Sequence, residues 1–344
     1  MLELHDPAGA FDRLEEFLAG EGFWGRGGVV ADLYLGYGLS APLHRAAGTA
    51  PPEPCPLPLV ACSIRPVAEA GWVPARYELG EWERSWGDDE YAGAIDAVRS
   101  AIACGDVYQV NLVQHLSAPF SGDPAALAQP LATLDPLCAR PFAGPGWTIV
   151  SASPELFLAR RGNRLVTKPI KGTRPAGVDI DDEKDAAEHV MIVDLERNDL
   201  ARVCDPGTVR WPELMAQREL AGVTHLVSTV EGRVRSDASL GDILAATFPG
   251  GSVTGAPKIA ALDVIASLEP VGRGAAMGAL GVLHPTGDFE LALTIRTMAV
   301  AEGRVHLWVG GGIVWDSDPE AEIEESWVKA RPLLAAIGSL VPAQ

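Results

Sequence analysis

Short turn segments between strand-like runs constrain the fold of this 344-residue chain more than any other feature. Residues 160–163 separate two apolar runs, and residues 285–288 and 302–303 do the same nearer the C-terminus. Connections this short, with glycine in the turn, are typical of β-hairpins. Helix-like segments are interspersed irregularly and do not follow a strict strand–helix–strand order. The pattern therefore predicts an α+β fold with antiparallel sheets.

Periodicity predicts the other elements. Apolar positions at helical spacing follow Asp88 or Asp89, either of which can cap a helix that Gly105 ends. Asp318 and Pro319 are the residue types expected at the start of a last helix. The predicted helices span residues 7–19, 88–102, 182–200, 240–248, 256–268 and 318–337. The predicted strands span residues 107–116, 156–159, 165–170, 223–234, 277–283, 289–300 and 305–309.

Composition excludes several classes of protein. A hydrophobic fraction of 47% is enough for a large core, and the length suggests about two domains or one large one. The net charge of −19 opposes binding to nucleic acids and anionic membranes. No apolar run reaches the roughly 18 residues of a membrane span, and no signal peptide is recognisable. The five cysteines are widely spaced and predict neither disulfides nor a zinc site. We expect a cytoplasmic protein without nucleic-acid or membrane partners.

The regular pattern begins near residue 85. Residues 1–84 combine a short helix candidate, short apolar runs and a proline-rich loop at residues 51–56. We predict that residues 1–84 form a reduced N-terminal part packed on the same domain as the main region, residues 85–340.

Lys171 is the candidate reactive residue. It follows a proline-stiffened strand end and precedes a Gly-Thr turn, so the second strand of the first hairpin delivers it to the mouth of a sheet. A partly desolvated lysine loses its proton readily and can act as a nucleophile. A solvated lysine on a turn is the alternative, and on this segment alone it is the more common outcome.

Two acidic pairs are candidate metal ligands. Asp185 and Glu188 lie three residues apart on one predicted helix. Glu322 and Glu325 have the same spacing on another, so each pair shares a helical face. Mg²⁺ prefers carboxylates and retains water and substrate oxygens, so one glutamate from each helix could clamp it against an anionic ligand. A solvated helix face is the common alternative for such pairs.

Two glycine-rich segments can bring backbone close to a ligand. Residues 249–258 do not form a P-loop, because no lysine directly follows the last glycine, but the turn can still present backbone N–H groups to an anion. Gly310, Gly311 and Gly312 lie between two predicted strands and form the second segment.

Four polar side chains are candidates for ligand contact. Arg296 is a cation in an apolar strand and needs a partner, either a substrate carboxylate or a structural acid. His225 opens an apolar strand and is either a core or capping histidine or a catalytic one. Gln109 and Asn111 are polar residues on an apolar run, which indicates a ligand-facing side or paired core amides.

Taken together, the motifs resemble the chorismate-utilising enzymes, and within that family the aminodeoxychorismate (para-aminobenzoate) synthase branch. The resemblance covers about residues 88–335. It implies the family's large antiparallel two-sheet β-sandwich flanked by helices, with the active site between the sheets. The matching segments are residues 105–112, 153–155, 169–173, 184–189, 191–195, 197–199, 225–228, 248–258, 295–297, 310–317 and 322–329.

The resemblance also implies a role for each acidic pair. Glu188 and Glu325 resemble the family's Mg²⁺ ligands, while Asp185 and Glu322 resemble residues that order metal-bound water. The metal ion then holds the ring carboxylate of chorismate.

The other candidates match substrate-contacting positions of the family. Arg296 and the backbone of Gly310, Gly311 and Gly312 resemble the residues that receive the enolpyruvyl carboxylate. His225 is similar to the family's active-site histidine. The residues that resemble the pocket lining are Gly172, Thr173 and Thr254.

Two positions favour one branch of the family. Gln109 stands where the water-adding enzymes carry a lysine base, which disfavours isochorismate and salicylate synthesis. Lys171 stands where anthranilate synthases usually have alanine. It is similar to the lysine that attacks ring C2 in the aminodeoxychorismate branch, before ammonia enters at C4. Glu155 resembles the general acid that protonates the departing hydroxyl, which is a poor leaving group without a proton.

The resemblance implies a partner, and some departures keep alternatives open. We recognise no glutaminase constellation, so ammonia is expected from a separate glutamine amidotransferase subunit. Ala276 replaces a bulky aromatic, the segment from Lys171 to Glu188 is short, and no feedback motif for tryptophan is found. The alternatives are anthranilate synthase and a non-catalytic relative that binds chorismate or a partner.

Overall fold

The structure, a computed structural model, describes residues 1–45, 50–67, 76–175, 177, 179–180, 183–220 and 223–339. Within these ranges the helices are α1 (Ala10–Gly20), α2 (Asp88–Ala103), α3 (Ala128–Leu131), α4 (Glu183–Ala201), α5 (Leu240–Thr247), α6 (Lys258–Leu268) and α7 (Pro319–Ala336). The strands are β1 (Leu2–Leu4), β2 (Val29–Leu35), β3 (Val60–Pro66), β4 (Tyr77–Leu79), β5 (Glu83–Arg84), β6 (Gln109–Gly122), β7 (Phe142–Gly144), β8 (Trp147–Ser151), β9 (Leu156–Arg161), β10 (Arg164–Lys168), β11 (Ile170–Pro175), β12 (Arg210–Leu220), β13 (Val223–Arg233), β14 (Gly255–Ala256), β15 (Ala279–Leu283), β16 (Phe289–Leu293), β17 (Thr297–Ala301) and β18 (Arg304–Ile313).

The strands form two antiparallel sheets, which confirms the predicted fold class. The larger sheet runs in the order β1-β3-β2-β15-β16-β9-β10-β13-β11, with β12 paired to β13. The smaller sheet runs β14-β6-β18-β17-β8-β7, and β4 and β5 pair with β6. The predicted hairpins at residues 160–163, 285–288 and 302–303 all form, since they join β9 to β10, β15 to β16 and β17 to β18.

Three strands from residues 1–84, β1, β2 and β3, complete the larger sheet. β2 pairs with the whole of β15, from Ala31 opposite Leu283 to Leu35 opposite Ala279. This shared ladder buries the apolar faces of the N-terminal strands in the same core as the strands that follow. A domain boundary near residue 84 stays a prediction.

One predicted strand is wrong in a way that matters for the site. Residues 289–300 do not form a single strand: β16 ends at Leu293 in the larger sheet, and β17 begins at Thr297 in the smaller one. Arg296 lies in the crossing between them, with φ of 50°. The sequence did not reveal the break because the apolar residues continue through it, and no glycine marks the left-handed conformation.

Other boundaries also need correction. Gly310, Gly311 and Gly312 lie inside β18, paired with β6, and not between two strands. α6 begins at Lys258, because Gly255 and Ala256 pair with β6 as the short strand β14. The N-cap of α2 is Gly87, and not Asp88 or Asp89 as predicted. The N–H of Gly87 donates to the Glu90 carboxylate at 2.8 Å.

Helices cover the sheets where the sequence supplies an apolar stripe. α7 places Trp327, Leu333 and Leu334 against the smaller sheet, where each is 2% exposed or less. Burial of side chains this large stabilises the fold by about 1.5–3 kcal/mol each. α2 and α6 pack on the start of β6 through a separate apolar cluster. None of the helices in the described ranges has both the length and the apolar character needed to span a membrane.

The cap of α7 gives a stability prediction. The Asp318 carboxylate accepts the N–H of Ala321 at 3.0 Å, and Pro319 occupies the first helical position, as predicted. Asp318→Ala is expected to lower the free energy of unfolding by about 1 kcal/mol, because the N–H loses its acceptor. Urea denaturation measures the change. Glu320→Ala, an exposed acid in the same turn, is the control, and equal losses in both variants would contradict the capping role.

Candidate active site

A cavity of about 140 Å³ between the two sheets collects most of the predicted site residues. Its walls come from both sheets and from α4 and α7, as the resemblance implied. The predicted residues that line it are Glu155, Lys171, Gly172, Asp185, Glu188, His225, Arg296, Gly310, Gly311, Gly312, Glu322 and Glu325.

Three predicted residues are placed differently. Thr254 is fully buried behind the lining, and its hydroxyl donates to the carbonyl oxygen of Gly250 at 3.0 Å, so it shapes the turn. Gln109 is also fully buried, and within the described residues its amide atoms have no hydrogen-bond partner. The backbone of Thr173 lies in β11, but its side chain lies outside the described part of the structure.

β11 presents Lys171 and Gly172 to the cavity. Lys171 is opposite Leu226 of β13, and the register shifts between Lys171 and Arg174. Gly172 has φ of 65° at this irregularity, a conformation that favours glycine. Its carbonyl oxygen accepts a hydrogen bond from Nδ1 of His225 at 2.8 Å. The pairing of β11 with β13 therefore fixes His225 beside Lys171.

His225 is a neutral polar group in this setting. With Nδ1 donating to Gly172, its Nε2 is free to accept, and a guanidinium nitrogen of Arg296 lies 3.4 Å away. Burial lowers the pKa of His225 to about 4, and the positive charges of Arg296 and Lys329 act in the same direction. The imidazole is therefore uncharged near pH 7 and can take part in hydrogen bonds without adding positive charge.

Glu155 has the properties of a proton donor. It is 5% exposed, and its Oε1 accepts the hydroxyl of Ser252 at 2.7 Å. Burial raises the pKa of Glu155, opposed by the Ser252 hydrogen bond and by the positive charge of Lys171. A buried carboxyl beside two cations can hold a proton and release it when the charge at the site changes.

Arg296 is the cation at the crossing between the sheets. Burial lowers the pKa of its guanidinium, and the Glu155 carboxyl opposes this shift. Within the described residues the guanidinium is bonded to His225 and forms no ion pair. This arrangement leaves donors for an anionic group in the cavity, which is the ligand alternative raised by the sequence.

The two acidic pairs line the same cavity from two different helices. A Cβ placed on Gly311 would lie 3.4 Å from both Glu322 Oε2 and Glu325 Oε1, so these carboxylates converge over the glycine backbone. Asp185 and Glu188 line the same cavity from α4. The ammonium of Lys329 donates to Glu325 at 2.6 Å and to the carbonyl oxygen of Gly310 at 2.9 Å.

The carboxylates of the two acidic pairs suit a hard cation that keeps part of its hydration shell. Among the described side chains, no group of three or more acids, histidines or cysteines is close enough to bind a metal ion by itself. Mg²⁺ is commonly held by one or two carboxylates, with water and substrate oxygens completing its coordination. Glutamates from two helices that line one cavity fit that chemistry.

A buried ion pair braces the cavity wall. Arg273 is 1% exposed and is paired with Glu269. Its guanidinium also donates to the carbonyl oxygens of Val253 and Asn111 at 2.7 Å each. Both of these residues line the cavity. The pair thus joins the glycine-rich turn to β6.

Sequence reasoning missed two contributors. Ser252 was seen only as part of the glycine-rich segment, although it is the residue that binds Glu155. Lys329 follows Glu325 by four residues, a helical spacing that predicts their ion pair. That spacing was the available signal for Lys329, whereas nothing in the local sequence points from Ser252 to Glu155.

The three glycines of β18 give a graded stability prediction. A Cβ on Gly310 would collide with the backbone carbonyl of Leu112, whereas one on Gly312 would collide with the side-chain amide of Gln109 and lie 3.0 Å from Nζ of Lys171. Because a side chain can move and a paired strand cannot, Gly310→Ala should lower the free energy of unfolding by ~2 kcal/mol or more and Gly312→Ala by less.

Urea denaturation of the three alanine variants checks this order. Gly311→Ala is the matched control, since its Cβ would have ordinary contact distances of 3.4 Å and above. Equal destabilisation at all three positions would show that strand propensity, and not close approach, decides the effect.

The sequence of this chain is similar to those of several known enzymes. The sequence model for chorismate binding enzymes matches residues 70–335. Anthranilate synthase component 1 of Thermus thermophilus is 45% identical over 258 residues, which cover 71% of this chain and 56% of that protein. Aminodeoxychorismate synthase component 1 of Klebsiella aerogenes is 38% identical over 286 residues, covering 79% and 63%.

The fold comparison agrees with the sequence comparison. The crystal structure of anthranilate synthase component I from Streptococcus pneumoniae matches with a TM-score of 0.78 and 27% identity, covering 92% of this chain and 84% of that one. The matched part of the chain spans between 51% and 63% of the length of eight curated relatives. With a family match across most of its length and the expected residues gathered between its sheets, the chain belongs to the chorismate binding enzymes.

Proposed function

We propose that the chain catalyses the Mg²⁺-dependent amination of chorismate at C4 to give 4-amino-4-deoxychorismate. The observation that carries this proposal is the placement of Lys171 and Glu155 in one cavity. The first is an amine and the second is a buried acid whose pKa is raised by burial. A nucleophile beside a proton donor is the pair that displacement of a hydroxyl group requires.

The proposed reaction has two displacements. Lys171 passes its ammonium proton to the Glu155 carboxylate, the resulting amine bonds to ring C2, the ring double bonds shift, and the C4–O bond breaks. Glu155 gives its proton to the departing hydroxyl, so that water leaves. Ammonia then bonds to C4, the double bonds shift back, and the C2–N bond breaks to release Lys171 as an amine. Glu155 recovers a proton from the ammonium group formed at C4.

The remaining residues bind and orient the substrate. Arg296 offers guanidinium donors to the enolpyruvyl carboxylate, next to the backbone of Gly311. His225, held neutral by burial, orients that guanidinium through Nε2. Glu188 and Glu325 would hold Mg²⁺, with Asp185 and Glu322 acting through its water. The bound ion would neutralise the ring carboxylate of chorismate.

Ammonia would come from a glutamine amidotransferase subunit. The proposal rests on the resemblance and on relatives that are named as component 1 of their synthases. The product would feed para-aminobenzoate and folate synthesis in the cytoplasm.

Anthranilate synthase is the second candidate function. Its support is specific, because the Thermus thermophilus and Streptomyces coelicolor relatives at 45% and 40% identity carry that name. Against it stands Lys171, where the resemblance leads us to expect alanine in that branch. A non-catalytic relative is the third possibility, motivated by Ala276, which is 1% exposed and leaves no aromatic ring at that position.

Product analysis separates the three candidates. The purified chain is incubated with chorismate, Mg²⁺ and ammonium, and aminodeoxychorismate lyase is then added. We expect 4-aminobenzoate only after the lyase is added. Anthranilate as the sole product would overturn the C4 proposal, and absence of product at any ammonium concentration would favour the non-catalytic alternative.

Substitution of the proposed nucleophile is the direct test of the covalent route. Lys171→Ala is expected to lower the rate of aminodeoxychorismate formation by on the order of 100-fold or more, because the first displacement has no amine. Lys168→Ala, an exposed lysine on β10, is the matched control. A Lys171→Ala variant with wild-type turnover would remove the covalent role.

Substitution of a proposed metal ligand tests the Mg²⁺ site. Glu325→Gln keeps the size of the side chain but removes its charge, so the Mg²⁺ concentration for half-maximal activity should rise by about 10-fold or more. Glu324→Gln, an exposed neighbour paired with Arg331, is the control. A Mg²⁺ titration that is the same in wild type and Glu325→Gln would contradict this assignment.

A further inference from the structure

A second buried carboxylate lies behind Glu155, and the proposed reaction does not use it. Glu196 is on α4 and is 4% exposed. Its Oε1 accepts the backbone N–H of Gly251 at 3.1 Å, and the hydroxyl of Thr167 lies 3.4 Å from its Oε2. Both oxygens therefore face protein groups and not water.

The same turn holds both carboxylates. Gly251 and Ser252 are consecutive residues of a short 3₁₀ turn, Gly251–Val253. Gly251 donates its N–H to Glu196, and Ser252 donates its hydroxyl to Glu155 at 2.7 Å. Movement of the turn away from α4 would therefore also move the donor that orients the acid.

The charged groups around Glu196 do not balance if every acid is ionised. Asp199 lies one turn further along α4 and is paired with Lys258. Lys258 also donates to the carbonyl oxygen of Pro249 at 2.7 Å, so it binds the start of the glycine-rich segment. One ammonium then faces two buried carboxylates, Glu196 and Asp199, with the carboxyl of Glu155 close enough to act on Glu196.

A proton on Glu196 removes that imbalance. Burial raises the pKa of Glu196 to about 8, with the charge of Asp199 as the next cause, and Lys258 and the Gly251 N–H oppose the shift. Near pH 7 the side chain is therefore mostly a neutral acid. Removal of the proton from a buried carboxyl is costly when the nearby cations already favour ionisation of another acid, as Lys258 and Arg202 do for Asp199.

We propose that Glu196 is a positioning residue that, as a neutral acid, anchors the Gly251–Ser252 turn to α4 and so holds the Ser252 hydroxyl on Glu155. This inference rests on the proposed function, because it assigns Glu155 the role of acid. It concerns a side chain that does not line the cavity.

The surrounding charges explain why the anchor is neutral. Ionisation of Glu196 would place a second buried negative charge beside that of Asp199. Lys171 and Arg296 favour ionisation of Glu155 from the cavity side, and Arg202 favours ionisation of Asp199. Lys258 acts on Glu196 but is itself paired with Asp199.

The test compares two substitutions at one position. Glu196→Gln keeps an oxygen that can accept the Gly251 N–H but cannot ionise, whereas Glu196→Ala removes the acceptor as well. The measured quantity is kcat/KM for chorismate against pH, with saturating Mg²⁺ and ammonium. Asp194→Asn, an exposed acid on the same helix, is the control for loss of one negative charge.

We expect Glu196→Gln to retain activity within about 3-fold, because its amide oxygen can still accept the Gly251 N–H. Glu196→Ala should lose activity at every pH, because the turn is no longer anchored. Asp194→Asn should match wild type. Equal losses in Glu196→Gln and Glu196→Ala, or full activity in Glu196→Ala, overturn the anchoring role.

A second measurement does not depend on catalysis. An ordinary glutamate pKa of 4.5 in the unfolded chain and about 8 in the folded one means that this group favours unfolding progressively as pH rises from about 4.5 to about 8. The stability of Glu196→Gln relative to wild type should therefore increase across this range in urea denaturation. A difference that is constant with pH would show that Glu196 is not held neutral.

The kinetic and the unfolding experiments separate failure of this inference from failure of the proposed function. If wild type forms anthranilate, the C4 proposal fails. Loss of the 4-hydroxyl group still needs an acid, so the kcat/KM values still decide the role of Glu196. If no product forms, the proposed function fails, and so does an effect of Glu196 on catalysis. The unfolding measurements then decide only the neutral anchor.

Discussion

The structure depends on one costly arrangement, a buried carboxyl and a partly buried guanidinium that lie together in the gap between two apolar sheets. Glu155 is 5% exposed, and burial alone shifts the pKa of both Glu155 and Arg296 toward their neutral forms. Such groups are tolerated only where hydrogen bonds and opposite charges replace water. The chain supplies the opposite charge by crossing from β16 to β17 at Arg296, which places the guanidinium in the gap. It supplies a hydrogen bond through the turn Gly251–Val253, which places the Ser252 hydroxyl on Glu155.

α4 links the two ends of the site. Asp185 and Glu188 line the cavity near its start, and Glu196 and Asp199 hold the glycine-rich turn further along. Glu188 and Glu196 are eight residues apart, which is about 12 Å along a helix axis. A shift or rotation of this one element would move the proposed metal ligands and the support of Glu155 together. The geometry thus couples the two halves of the proposed chemistry through a single rigid body, and the ion pair of Asp199 with Lys258 sets its position against the turn.

Local signals in the sequence were sufficient for the hairpins, the helices and the cap of α7, because each depends on neighbouring residues. The two-sheet arrangement and most of the site came from the resemblance, since cavity-lining residues such as Lys171 and Glu322 are 151 positions apart (322 − 171) and no periodicity connects them. The failures share one cause. The break at Arg296 and the continuation of β18 through its glycines are both set by how strands from distant segments pair. Glycine in a strand and arginine in an apolar run have several local interpretations, and tertiary contacts select among them.

Overall similarity does not decide which ring carbon is aminated, because relatives with both names have comparable identity to this chain. The deciding argument is local. In the proposed reaction, Lys171 both expels the hydroxyl and occupies C2, so ammonia is excluded from the carbon at which an anthranilate-forming enzyme must add it. Exclusion works only if the amine stays at C2 until ammonia arrives. Gly312 leaves the amine the space that it needs, because a methyl group on this glycine would lie 3.0 Å from Nζ of Lys171. The selectivity proposed for this cavity therefore depends on the fit between the amine and the glycine beside it, and not on the amine alone.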